Sequence, residues 1–154
     1  MEEDILKIFV QSVTRYFDTI ADGGASFGTP YLGGEPESAG LGFSAVIGIT
    51  GAYRGNIYYT ASREKLHALL PCLGETEPDD RLCAELVGEI TNTISGDARE
   101  QLGGGFMIST PFILAGGTLA VHTAKHSVCY VLPVTWRQHP SRVLVSLQKS
   151  PDTP

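Results

Sequence analysis

The stretch ending in Gly103-Gly104-Gly105 constrains the fold more than any other part of this 154-residue chain. Leu82, Cys83, Leu86, Val87, Ile90, Ile94 and Ala98 recur at the 3.6-residue period. A helix over Ala84–Leu102 must therefore lay one side against a core. The three glycines stop it, because glycine takes the left-handed C-terminal conformation without strain. Its opposite side is assigned Glu85, Gly88, Glu89, Asn92, Ser95 and Gly96. An interior glycine costs a helix roughly 1 kcal/mol against alanine, yet two of them bracket Glu89 and Asn92. Glycine in this setting lets another backbone approach or leaves room for something to dock. A spacing of three puts the carboxylate and the carboxamide on one helix face. The sequence thus predicts a presented polar pair with low surroundings.

The rest of the chain supplies the partners for that helix. An opening helix from Glu3 to Ile20 has an apolar stripe of Ile5, Phe9, Val13, Tyr16, Phe17 and Ile20, and Gly23 and Gly24 end it. A short strand is expected near Thr29 to Leu32, followed by a Gly/Pro/Glu/Ser loop from Gly33 to Gly42. Gly42–Thr50 and Asn56–Ala61 read as a hairpin, with Gly51 to Gly55 as its loop. Ser62 caps a helix over Arg63–Leu70. Gly74 to Pro78 link it to the long helix, which Asp79 or Asp80 can cap. Strands are expected over Phe106–Leu114, Thr118–Ala124, Val128–Thr135 and Arg142–Leu147, with Pro111 marking an edge or bulge. The order predicts an α+β domain, a mainly antiparallel sheet with the long helix and the N-terminal helix on one face. One domain is expected over 1–149, with 150–154 as a tail.

A net charge of −6 and the absence of any Lys/Arg run argue against nucleic acid or anionic lipid as partner, since both need clustered positive charge. The N-terminus, Met1-Glu2-Glu3-Asp4, lacks the pattern of a signal peptide, and no apolar stretch approaches a bilayer span. A cytoplasmic protein is expected, without a membrane partner. Cys72, Cys83 and Cys129 show no Cys-x-x-Cys spacing, so neither a disulfide framework nor a zinc knuckle is indicated. His122 and His126 read as ordinary strand residues, and no metal site is expected. Cys129 lies in an apolar run, buried and inert rather than paired with His126 as a nucleophile. The glycine-rich pieces GGASFG and GLGFSAVIG lack the lysine and hydroxyl of a phosphate-binding loop and read as turns. Trp136, Arg137 and His139 are placed in a loop at the rim of the core.

GEITNTISGDAREQL, followed by STP and then AGG, resembles the CheX branch of the CheC-like chemotaxis phosphatases, whose helix carries a Glu-x-x-Asn signature. TPYLG, GFSAVIGITGAYRGNIYYTAS and REKLHALL stand where that family places its corresponding elements, so the resemblance covers most of the chain. It implies hydrolysis of the aspartyl phosphate on a phosphorylated CheY-like receiver domain. By position it assigns Glu89 to grip the receiver's lysine and Asn92 to place the attacking water. The residue types suit these roles. An acyl phosphate is already activated and the receiver supplies its own Mg²⁺, so positioning and electrostatic fit suffice and this chain needs no cofactor. Asn both donates and accepts without acting as a base. A glutamate can pair with an ammonium across an interface and fix the docking register. Gly88, Ser95, Gly96 and Glu85 are the expected partner-binding neighbours.

Glu85 stands where CheC-type signatures have Asp or Ser and adds a second carboxylate beside Glu89. The opening helix contains no Glu-x-x-Asn, which fits the single-site CheX branch rather than CheC. The resemblance also implies a homodimer through the sheets. Two alternatives use the same helix face: a non-catalytic adaptor that binds a receiver, and a self-associating signalling domain.

Overall fold

The computed structural model describes residues 2–20, 25–33, 41–103, 105–115 and 128–150. Helix α1 spans Glu2–Ile20, as its stripe predicts, with Ile5, Phe9, Val13 and Phe17 buried. Two short strands follow, β1 (Ala25–Phe27) and β2 (Tyr31–Leu32), where the sequence suggested one over Thr29–Leu32. Both pair antiparallel with a later strand, and Gly28 N donates to Pro133 O between them. The expectations for Gly23 and Gly24, for 34–40 within the predicted loop, for a strand over Thr118–Ala124, for His122 and His126, and for 151–154 lie outside the described residues.

Strands β3 (Gly42–Gly51) and β4 (Tyr53–Ser62) form the predicted hairpin, but pairing runs further than expected, to Ile49 opposite Gly55. The turn shrinks to the surroundings of Ala52. Gly55 has φ +152°, and a Cβ there would lie 1.9 Å from Ser146 O on the neighbouring strand, so no larger residue fits. Ser62 caps α2 (Arg63–Leu69), its hydroxyl accepting from Lys65 N at 3.1 Å. A 3-10 turn over Leu70–Leu73 leads into the linker. The long helix α3 covers Asp80–Leu102, and Asp79 is its cap, accepting from Leu82 N at 2.8 Å. Gly103 closes it at φ +100°, its N–H bonded back to Arg99 O.

The predicted strand over Phe106–Leu114 divides into β5 (Phe106–Ile108) and β6 (Phe112–Ala115). Pro111 sits at the break, where a missing N–H does not interrupt a ladder. Strands β7 (Val128–Trp136) and β8 (His139–Lys149) form a long hairpin. Arg137 and Gln138 turn it with φ +48° and +67°, the conformation that matches strand twist in a two-residue loop. Trp136 is therefore the end of a strand and wholly buried, not part of a loop, while Arg137 lies 4.6 Å above its ring. The eight described strands make one antiparallel sheet in the order β1-β7-β8-β4-β3-β5, with β2 on β7 and β6 on β3.

The main core lies between the helices and one sheet face. Phe9, Val13 and Phe17 of α1 and Val87, Ile90 and Ile94 of α3 meet Ala45, Tyr59, Leu132, Val134, Trp136 and Val143 of the strands. Each fully buried aliphatic or aromatic side chain contributes about 1.5–3 kcal/mol against exposure, which fixes both helices on the sheet. Alternate strand positions face the other way, where Tyr58, Cys129, Val131 and Leu144 form a smaller cluster. Lys65 is enclosed by the main core, without a carboxylate partner among the described residues. Its Nζ donates to Ser141 Oγ at 2.7 Å and lies 4.6 Å from the Phe17 ring centre. Burial lowers its pKa to about 7. Among the described residues, no helix is long and apolar enough to cross a membrane.

Candidate functional site

The buried side of α3 holds Cys83, Leu86, Val87, Ile90, Ile94 and Ala98, as the period predicts, and Thr91, whose hydroxyl bonds back to Val87 O at 2.7 Å. On the outward side Glu85, Glu89 and Asn92 are all exposed. Glu85 is drawn one turn back by Arg81, 2.9 Å away. Nothing within the described hydrogen bonds or ion pairs holds Glu89 or Asn92 to another side chain. A carboxylate and a carboxamide thus stand three residues apart, facing solvent on a helix whose other side is locked in the core.

The structure corrects the predicted polar face at two positions. Gly88 and Ser95 are buried rather than exposed. A Cβ on Gly88 would lie 2.9 Å from Ile113 Cδ1, so this glycine admits the side chain of β6 and not an external partner. The same approach brings Pro111, last residue of the Ser109-Thr110-Pro111 stretch, within 3.9 Å of that position. Ser95 turns inward with its hydroxyl unbonded. Gly96 behaves as predicted in one respect, since a Cβ there would meet nothing within 4 Å. The low ground beside Glu89 and Asn92 is therefore made by Gly96 and by the close seating of β6.

Two groups on α1 border the patch and were not singled out by the sequence. Tyr16, expected in the apolar stripe, is half-buried at the seam between α1 and α3. Its phenol is pushed well above the ordinary tyrosine range, first by burial, then by Tyr59, then by the Glu89 carboxylate. Arg15 forms an exposed ion pair with Asp97 across the same seam. The only signal in the sequence was a tyrosine inside an otherwise buried stripe.

The chemistry available here is pairing and positioning. Glu89 can anchor a cation, and Asn92 can hold a water through its donor and acceptor. The buried Cys83 and Cys129 thiols have pKa values raised chiefly by burial, which disfavours the thiolate a nucleophile requires. Among the described residues, three metal-type ligands converge in one place, His67, Asp80 and Cys83 at the junction of α2 and α3, on the opposite side of the helix from Glu89.

Residues 43–135 match the model of the family described as chemotaxis phosphatase CheX. The chain belongs to the CheX family. The matched span runs from β3 to β7 and includes all of α3. Solved structures agree in fold. The chain is similar to the chemotaxis protein CheX from Desulfovibrio desulfuricans, at 30% identity and TM-score 0.81, over 94% of this chain and 99% of that one. It is also similar to a CheC-like superfamily protein from Shewanella, at 23% identity and TM-score 0.83, over 96% and 99%. A third is the Borrelia burgdorferi protein in a CheX–CheY–BeF3–Mg²⁺ complex, at 19% identity and TM-score 0.76, over 94% and 97%. No functionally curated protein matches the sequence. The predicted family and α+β fold are thereby shown, and the CheX fold places Glu89 and Asn92 on the exposed face of its longest described helix.

Proposed function

We propose that this protein hydrolyses the aspartyl phosphate of a CheY-like receiver domain, using the exposed face of α3. The observation that carries this reading is the pairing of Glu89 and Asn92 on the solvent side of a rigid helix, in a chain of the CheX family. The relative from Borrelia, captured with CheY, BeF3 and Mg²⁺, supports a receiver as the partner class.

In the proposed mechanism Glu89 pairs with the receiver's active-site lysine and sets the register of docking. Asn92 enters beside the acyl phosphate and orients a water in line with the phosphorus. Water oxygen bonds to phosphorus as the bond to the aspartate oxygen breaks, returning a free carboxylate and inorganic phosphate. The receiver's Mg²⁺ neutralises the charge on the transferred group, so this chain contributes placement rather than a covalent intermediate. Glu85 widens the acidic surface next to Glu89, and Gly96 keeps the approach open. The phenol of Tyr16, kept protonated at neutral pH, backs Glu89 from α1. The proposal extends to a cytoplasmic homodimer. Its support is the exposed apolar pair Met107 and Phe112 at the β5–β6 end of the sheet.

The test is release of inorganic phosphate from a phosphorylated receiver. Glu89→Ala is expected to lower catalytic efficiency about tenfold or more through weaker docking. A variant that matches wild type at every receiver concentration removes Glu89 from the mechanism.

A further inference from the structure

His67, Asp80 and Cys83 are dispersed in the sequence, with the Gly74–Pro78 linker between the first and the other two, and their spacing matches no metal motif. Folding brings them together. His67 stands in the last turn of α2, while Asp80 and Cys83 stand in the first turn of α3. One ligand atom from each lies within 4.8 Å of the other two. Imidazole, carboxylate and thiolate are the donors zinc accepts, and three protein ligands with one open position form a familiar arrangement for it.

A further observation points to a ligand. His67 Nε2 is buried and has no hydrogen-bond partner, although buried polar atoms are seldom left unpaired. Asp80 is exposed enough for an ion to enter and is oriented by Arg63 at 2.9 Å. A carboxylate has two oxygens, so this ion pair leaves one for a metal and acts as the outer contact that ligating carboxylates commonly have.

We propose that His67, Asp80 and Cys83 bind one zinc ion that clamps α2 to the first turn of α3. This replaces the expectation of no metal site drawn from sequence spacing. Its ligands on α3, Cys83 and Asp80, stand about 1.7 and about 2.5 helical turns before Glu89 and on the other side of α3, too far round the helix for the ion to take part in phosphate hydrolysis. Its effect is to fix the start of the helix that presents Glu89 and Asn92.

The experiment is titration of the chelator-treated full chain with Co²⁺, a spectroscopic substitute for zinc. Wild type is expected to develop a near-ultraviolet thiolate-to-cobalt charge-transfer band that saturates at one ion per chain and is displaced by Zn²⁺. Cys83→Ser and His67→Gln lose the band, while Cys72→Ser, which removes an exposed cysteine, keeps it. Circular dichroism establishes that the variants fold. If Cys83→Ser does not, His67→Gln carries the comparison, since it retains the thiol and removes only the imidazole. Absence of the band in wild type overturns the proposal whatever the variants do. So does a band that survives His67→Gln or disappears in Cys72→Ser.

Discussion

Helices α1 and α3 pack against each other and on the same face of the sheet, and both bury an apolar stripe interrupted by small polar residues, Ser12 in α1 and Thr91 and Ser95 in α3. Their outer surfaces differ. α1 presents Lys7, Gln11, Arg15 and Asp18 beside a shallow apolar groove of about 370 Å³ shared with Pro30. α3 presents Glu85, Glu89 and Asn92, with β6 seated low against Gly88. Burial thus fixes where each helix lies, whereas a few exposed residues distinguish the two outer surfaces, and in the proposed function they decide which one engages a phosphorylated partner. The proposed function uses the second surface.

If the division between scaffold and site is right, damage to α1's buried side affects stability and leaves the chemistry of folded molecules intact. Phe17→Ala empties a fully buried position of α1 and is expected to cost about 3–5 kcal/mol in chemical unfolding. The phosphate-release rate per folded molecule should stay at the wild-type value. Gly88→Val tests the seating of β6 under α3. It places a branched side chain where even a Cβ lies 2.9 Å from Ile113, and is expected to cost about 1–3 kcal/mol. A neutral result would mean that β6 can move away freely.

Lys65 offers a sharper test of the core shared by the two helices. Burial holds its folded pKa near 7, below its ordinary value of 10.5, so the unfolded chain binds more protons between those values. Stability therefore rises with pH from about 7 upward. The clean window ends near pH 8.5, since the buried cysteines, whose ordinary pKa is 9.0, begin to ionise in the unfolded chain above it. Lys65→Met is expected to flatten the slope of unfolding free energy between pH 7 and pH 8.5. The smallest effect belongs to the exposed seam. Arg15→Ala removes the ion pair to Asp97 and should change stability by less than about 1 kcal/mol, because exposed pairs gain little in water.

The sequence made the fold legible where one physical cause dominates. The stripe of α3, the Ser62 cap, a cap at Asp79 or Asp80 and the β3–β4 hairpin follow from period, capping and strand propensity, and the structure has them, with Asp79 as the cap. Boundaries shifted where pairing is a tertiary matter, as in the shortened turn at Ala52 and the break of one predicted strand at Pro111. The exposure of Glu85, Glu89 and Asn92 was legible too, through the helical period. Gly88 was misassigned because helical geometry says which residues share a side, not how far a neighbouring strand wraps round it. Tyr16 beside Glu89, and the convergence of His67 with Cys83, arise from contacts between elements and have no local signature at all.

In the proposed mechanism Asn92 acts on the phosphoryl group and does not merely help to bind the receiver. Single-turnover decay of a phosphorylated receiver at saturating concentrations of Asn92→Ala tests it most directly, with binding of the two proteins measured in parallel. Binding is expected to persist while decay slows about 100-fold, the scale expected when a reacting water loses its placement. Decay at the wild-type rate would contradict it.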